Sequence, residues 1–373
     1  MVMGFFITRG MSIKRWHDLG LLDREKLIYE NHLKSGVLSK VYCFTYGIDD
    51  DKYAYLLDDK FKIVPMHKFF NSKFGVIIYS IILPFIHHKI INKCNILKTD
   101  QMDGSWSAVI AKIFFPKNKK LIIRTGFTLS VFMKHKKYIF LEFIAMMIEK
   151  FAYAFCDSAT VSSSHSKTYI VNKYHIDDNK VTILFNYIDT DRFYSSTFQF
   201  KKDRLLFVGR LDKQKNLENL FLSLAKINIG IDIYGDGKLK NELISLSIKL
   251  NIDVNFYGII LNSELPEVLR QYKYYILPSI YEGMPKTLIE AMSCGLVCIG
   301  SDTMGINEII IHNYNGYLIN GFTKDDITNG ITKALEQKNH NVIQANAIKS
   351  ISVNFSLNHY AFQESKIFLN FNL

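Results

Sequence analysis

At 373 residues the chain exceeds what one hydrophobic core usually spans, so two domains are expected. Its 48% apolar and 22% charged residues are ordinary for a globular protein, and five cysteines (Cys43, Cys94, Cys156, Cys294, Cys298) without metal or disulfide spacing favour a reducing, cytoplasmic setting. The net charge of +11 is uneven: residues 1–190 carry 27 Lys and Arg against 17 Asp and Glu, and residues 191–373 carry 19 against 18.

The basic half suggests an anionic partner there, whether nucleic acid, an acidic acceptor or a membrane surface; the plain alternative is a lysine-rich soluble face. No recognisable nucleic-acid-binding module accompanies the charge. The opening apolar run is broken by Arg9 and is too short for a signal peptide.

Met3–Thr8 reads as a first strand, with Arg9-Gly10-Met11-Ser12 as the loop after it. Residues 22–34 read as a helix, Lys40–Thr45 as a second strand and Lys62–Pro65 as a third, in the alternating order of a Rossmann domain. Phe74–Ile86 is the most apolar run and is too short to cross a bilayer. It reads as a buried helix; the alternative is an interfacial helix with His87, His88 and Lys89 at its polar end. Ile96–Lys98 is a strand leading through the polar loop Thr99–Trp106 into a helix, and Leu121–Arg124 is the next strand. Lys117, Lys119, Lys120, Lys134, His135, Lys136 and Lys137 cluster before an aromatic helix expected over Tyr138–Phe155. That pattern suits docking on anionic lipid headgroups, or the aromatics are core. Ala159–Ser162 and Lys180–Phe185 read as strands, and residues 190–203 as the interdomain linker.

In the second half, Arg204–Val208 reads as a strand running into Gly209-Arg210-Leu211-Asp212-Lys213-Gln214-Lys215. Gly209 permits close approach, while Arg210 and Lys215 offer two cations to a diphosphate. Ile231–Tyr234 ends at Gly235-Asp236-Gly237, which is not a dinucleotide fingerprint because Lys240 stands where a third Gly would fall. Asn255–Tyr257 with Gly258 is a further strand and turn. Tyr274–Asp302 then reads strand, loop, helix, strand, with Pro285 as the first helical residue and Gly295 just past the end. In parallel sheets ligands bind at the carboxyl ends of strands, where the Pro278–Met284 loop lies. The helix start at Met284-Pro285-Lys286 attracts a phosphate. Glu282 and Glu290 beside an anion site make sense as acceptors for hydroxyls, which points to a nucleotide sugar. The plain alternative for Glu290 is a solvated surface residue paired with Lys286.

Pro278, Ser279, Glu282, Gly283, Met284, Pro285, Glu290, Ala291, Met292 and Gly295 together resemble the E-x7-E signature of retaining glycosyltransferases of the GT-B type, especially glycosyltransferase family 4. Gly209-Arg210-Leu211 with Lys215-Asn216-Leu217 is similar to a second string of that family, and Asn186-Tyr187-Ile188-Asp189 to a third, with Tyr in place of Gly. The resemblance implies an α/β protein with two Rossmann-like domains facing a cleft: residues 1–190 for the acceptor, 191–355 for the nucleotide sugar, and 356–373 as a closing helix packing back on the first domain.

It implies that Arg210, Lys215 and the helix start stabilise the departing diphosphate without a metal, that Glu290 holds ribose hydroxyls and Glu282 sugar hydroxyls, and that Gly235 and Gly258 lie on the base side. Covalent attack by Glu282 is the less favoured route. No cofactor or Asp-x-Asp metal motif is called for, and a UDP-sugar is preferred to a GDP-sugar. On the acceptor side the family's Gly pair is reduced to Gly10 between Arg9 and Met11, and Arg124 stands where a His is frequent. Arg9 is placed to meet a donor phosphate and Arg124 an anionic acceptor group. The implied function is sugar transfer to a glycan or lipid-linked acceptor in cell-envelope polysaccharide synthesis, in the cytoplasm or peripheral at the inner membrane face, without nucleic acid. The rivals are a non-catalytic nucleotide-sugar scaffold and a sugar-nucleotide epimerase on the same fold.

Overall fold

Short, mostly apolar runs, buried on both faces in the central strands, make two all-parallel sheets. The computed structural model describes residues 1–135, 138–196 and 202–371. The chain divides into two units, Met1–Phe185 with Tyr360–Leu373, and Asn186–His359.

The first unit contains β1 (Val2–Phe6), β2 (Lys40–Phe44), β3 (Phe61–Val64), β4 (Ile96–Thr99), β5 (Lys120–Thr125), β6 (Ser158–Val161) and β7 (Val181–Ile183), in the spatial order β3-β2-β1-β4-β5-β6-β7. Strand order reverses at β1, so the connections before and after it lie on opposite faces of the sheet. The helix Leu22–Lys34 is on one face; Lys73–Ile86, Ser105–Phe114 and Ile139–Phe155 pack side by side on the other. The helix Leu357–Leu369 brings Glu364 to Lys98 of β4 (Nζ to Oε1, 2.6 Å) and to His32 (Nε2 to Oε2, 2.9 Å), all three fully buried.

The structure corrects the reading of Phe74–Ile86 as a buried helix. Ser72 caps its start by accepting from the Gly75 N–H. Tyr79 and Leu83 are buried, but Phe74, Ile77, Ile78, Ile81, Phe85 and Ile86 are exposed. One stripe of an apolar helix satisfies the sheet, and nothing polar occupies the other. In the basic cluster before the aromatic helix, Lys136 and Lys137 lie outside the described residues.

The second unit contains β8 (Lys202–Val208), β9 (Ile231–Tyr234), β10 (Val254–Gly258), β11 (Tyr272–Leu277), β12 (Val297–Ser301) and β13 (Tyr317–Ile319), ordered β10-β9-β8-β11-β12-β13. Its reversal point is β8, between β9 and β11, so the carboxyl ends of β8 and β11 flank the crevice where such sheets bind ligands. Leu205, Leu206, Phe207, Tyr275, Ile276 and Leu277 are fully buried. The approach to β8 is pinned by Arg192 Nη2 donating to Asn262 O (3.0 Å) and Ser293 Oγ donating to Phe193 O (2.5 Å).

Candidate active site

Three glycines tie the strand ends of the second unit together. The Gly209 N–H donates to Tyr234 O (2.9 Å), and the Gly235 N–H to Gly258 O (2.6 Å). Gly235 has φ +149°, and a Cβ there would sit 1.9 Å from Gly209 O, so only glycine lets these turns touch. A Cβ on Gly209 would lie 3.6 Å from Lys215 Cε and 3.2 Å from the Phe207 ring. A side chain at 209 would therefore crowd the Phe207 ring and touch the Lys215 stem.

From Gly209 the chain makes a short 3-10 turn over Lys213–Lys215, anchored by buried Leu211 and Leu217, and leaves it through Asn216 in the left-handed region (φ +57°). That reversal aims Lys215 inward. Its ammonium lies 2.5 Å from Glu282 Oε1, with the two side chains 11% and 8% exposed.

Glu282 is held by its own loop. The Ile280 N–H donates to Gln214 O (2.9 Å), Gln214 Nε2 donates to Tyr281 O (2.8 Å), and Thr303 Oγ1 donates to Ile280 O (2.9 Å). Gly305, at φ +82°, lies against the loop so closely that a Cβ would come within 2.2 Å of Gly283 O. Asn186 Nδ2 donates to Met284 O (2.8 Å), fixing the last turn before the helix. That helix spans Lys286–Ser293, with Pro285 at the N-cap rather than the first helical position. Pro285 makes no side-chain cap bond to the first turn, and a helix start of this kind attracts anions.

Glu290 is fully buried, which overturns the surface alternative, and accepts from Asn262 Nδ2 at 3.4 Å. Lys286 Nζ lies 5.4 Å from the Tyr187 ring centre. The buried Tyr275 hydroxyl lies within the field of both carboxylates. Burial pushes its hydroxyl pKa well up, the fields of Glu282 and Glu290 add to this, and it donates to Thr287 Oγ1 (2.8 Å). Arg210 stands apart from the pair: it is two-thirds exposed, 3.5 Å from Asp212. On the far side of Gly235 and Gly258, Tyr234 and Tyr257 stack at 4.7 Å beside a cavity of about 590 Å³ that Ile259, Ser263, Glu264 and Val268 also line.

The acceptor-side candidates lie in the first unit, and both arginines among them are already engaged. Arg9 Nε is 3.0 Å from Asp103 Oδ1, its guanidinium lies over Trp106 at 5.4 Å, and Gly104 packs on its backbone. Gly10 has φ +74° with open space where a Cβ would stand. Arg124 Nη1 donates to Asp100 O (3.0 Å), and Asp100 Oδ2 accepts from Thr8 Oγ1 (2.6 Å). Burial pushes the Asp100 carboxyl up.

Sequence reasoning missed Gln214, which stitches two loops, and Asn262, the partner of Glu290. Gln214 had one signal, its place next to Lys215; Asn262 had none. It also passed over Asp189-Thr190-Asp191, which does spell Asp-x-Asp; there Asp189 Oδ1 accepts from the Asp191 N–H (3.1 Å) as a turn. Among the described residues no three His, Cys, Asp or Glu side chains converge as a metal cage, and no helix is long and apolar enough to cross a membrane.

Comparison with known proteins agrees with this architecture. Residues 190–350 match the family model Glycosyl transferases group 1. Over 214 residues the chain is 26% identical to an Escherichia coli UDP-Gal:alpha-D-GlcNAc-diphosphoundecaprenol alpha-1,3-galactosyltransferase, covering 52% of this chain and 55% of that one. Over 266 residues it is 25% identical to a Campylobacter jejuni N-acetylgalactosamine-N,N'-diacetylbacillosaminyl-diphospho-undecaprenol 4-alpha-N-acetylgalactosaminyltransferase, covering 68% and 72%. The matches to the E. coli enzyme and to two uncharacterized glycosyltransferases of Methanocaldococcus jannaschii span about half the length of those relatives. Among solved structures it resembles Anabaena HepE in complex with UDP and glucose, with a TM-score of 0.79 at 15% identity over 99% of this chain and 100% of that one. It also resembles the apo lipopolysaccharide outer core galactosyltransferase WaaB, with a TM-score of 0.74 at 20% identity over 98% and 99%. The protein thus has the GT-B fold, built from two Rossmann-like units. Residues 190–350, within and around its second unit, are similar to the group 1 glycosyl transferases.

Proposed function

We propose that the protein transfers a sugar from a UDP-sugar to a lipid-linked or glycan acceptor, without a metal and with retention at the anomeric carbon. The observation that carries this is the buried Lys215–Glu282 pair at the carboxyl ends of β8 and β11, next to an uncapped helix start. A lysine ammonium has three N–H donors, and the Glu282 contact uses one. Two remain for diphosphate oxygens, while Glu282 Oε2, 3.4 Å from Gln214 Nε2, takes a sugar hydroxyl. Glycosyl transfer breaks the bond between the anomeric carbon and the diphosphate, and negative charge grows on the departing oxygen. Lys215, the positive end of the Lys286–Ser293 helix and, once it swings inward, Arg210 meet that charge where water is scarce. Glu290 and Asn262 hold the ribose hydroxyls, and the cavity beside Tyr234 and Tyr257 takes the base.

Support for a UDP-sugar comes from HepE, which is solved with UDP and with UDP-glucose. Support for a lipid-linked acceptor comes from the two curated relatives, both named for diphosphoundecaprenol substrates. Both names specify α linkages, and α product from α donor is retention. A lipid-linked acceptor puts the work at the cytoplasmic face of the cell membrane.

The test is titration with UDP and GDP, with and without chelator, followed by product analysis against a polyprenyl-diphosphate sugar. Chelator-insensitive binding of UDP and an α-linked product are expected. Strict dependence on added divalent metal, or an inverted product, would remove the corresponding part of the reading.

A further inference from the structure

More than half of the exposed large apolar side chains among the described residues fall between positions 74 and 155, in the first unit. All but Phe127 and Tyr138 come from three neighbouring helices on one face of its sheet. Lys73–Ile86 contributes Phe74, Ile78, Ile81 and Phe85, and Ser105–Phe114 contributes Ile113 and Phe114. Phe85 and Phe114 join the two, ring centres 5.0 Å apart. The third helix, Ile139–Phe155, begins with Ile139, Phe140, Leu141, Phe143 and Ile144, all exposed. Single exposed apolar residues need no explanation, but a face this wide does.

The charge around the face is mostly positive, with Glu142 at the start of the third helix as the exception. The helices Lys73–Ile86, His88–Ile91 and Ser105–Phe114 contain no Asp or Glu. Residues 60–141 hold 15 Lys and Arg against two acids, Asp100 and Asp103. Lys73 and Lys89 stand exposed at either end of the first helix, Lys117 follows the second, and Lys150 lies on the third. Aspartates occupy other basic groups, as Asp157 does Lys112 (2.9 Å), but no ion pair involves Lys73, Lys89, Lys117 or Lys150 among the described residues.

We infer that this three-helix face docks the protein on an anionic lipid bilayer. Apolar side chains that enter the boundary between headgroups and acyl chains, ringed by lysines that meet anionic headgroups, are the two components of interfacial binding. A helix start exposed on every side offers a second protein nothing flat to pack on, whereas acyl chains close around it. The inference deepens the reading of a lipid-linked acceptor and rests on it for its biological sense. Its physics requires only the first unit's surface.

The experiment is co-sedimentation of the full chain with vesicles of phosphatidylcholine alone or mixed with phosphatidylglycerol, at low and high salt, with UDP binding measured on the same samples. Wild type should sediment with the anionic vesicles and be released by salt. Phe74→Glu/Ile78→Glu/Ile81→Glu and, independently, Lys73→Glu/Lys89→Glu should each weaken partition by about tenfold or more while UDP binding is kept. Wild type left in solution with both vesicles, equal binding to uncharged vesicles, or full binding by both variants would each overturn the inference. So would a wild-type dimer that the apolar variant dissociates while no vesicle binding is seen. Vesicle binding without UDP binding would sink the transfer reading and leave this one standing.

Discussion

Lys215 Nζ lies 2.5 Å from Glu282 Oε1, joining residues 67 apart in sequence inside a wall that leaves both about nine-tenths buried. An ion pair this buried is a poor stability device, because desolvation offsets much of its attraction. Its value is to hold a cation ready before the diphosphate arrives. Lys215→Ala should therefore lower kcat by more than about 10²-fold, the size of one preorganised electrostatic contact. Lys215→Arg should recover only part of this, because a planar guanidinium does not fit where a compact ammonium sits 2.5 Å from buried Glu282. Steady-state kinetics with a saturating donor checks it; a rate within a few-fold of wild type would take Lys215 out of the mechanism.

Gly235→Ala tests the interlocked turns. The new Cβ would meet Gly209 O at 1.9 Å, and φ +149° is unsuited to alanine. Both penalties act on the folded state, so a loss of about 2 kcal/mol or more is expected. UDP affinity should fall with it, since the displaced Gly209 leads directly into the turn that carries Lys215. Thermal unfolding with and without UDP separates the two effects. An unchanged midpoint would mean the turns have slack that the geometry does not show.

The parts legible in the sequence were those set by local chemistry. Residues 22–34 were read as a helix and form Leu22–Lys34, because apolar spacing there has one period. The strand, loop, helix and strand of 274–302 were marked by Pro285 and Gly295, and Gly295 does take φ +75°. The Lys215–Glu282 pair had both members named but not joined, since nothing local links positions on two crossover loops. The Phe74–Ile86 helix was misread because a run apolar all round says that it is buried somewhere, not by what. Arg124 was read as a cation awaiting an acceptor group. Its hydrogen bond to Asp100 depends on β4 and β5 being neighbours, a fact of topology.

Glu290→Gln should raise the donor KM by about tenfold and leave kcat little changed. Replacing one carboxylate oxygen by an amide removes a charged acceptor held equally in ground and transition states. The Asn262 contact at 3.4 Å survives through the remaining oxygen, which keeps the helix intact. A donor lacking the ribose 2′-hydroxyl should lose affinity against wild type and little against the variant. Equal losses in both would detach Glu290 from the ribose.

Glu364 gives a pH-dependent stability. Burial pushes its carboxyl up, but Lys98 and His32 outweigh this and hold it at about 2, below its ordinary 4.5. A depressed carboxylate stabilises the fold wherever it is ionised in both states, which is above about pH 4.5. The contribution fades as pH falls from there towards about 2, where the folded form takes up its proton. Glu364→Gln should thus cost about 3 kcal/mol at neutral pH, because Lys98 is left buried without its anion. The gap between wild type and variant should narrow on acidification. Denaturant titrations of both proteins between neutral pH and about 3 measure that gap directly. If it stays constant across the range, side-chain packing rather than charge holds the Leu357–Leu369 helix to β4.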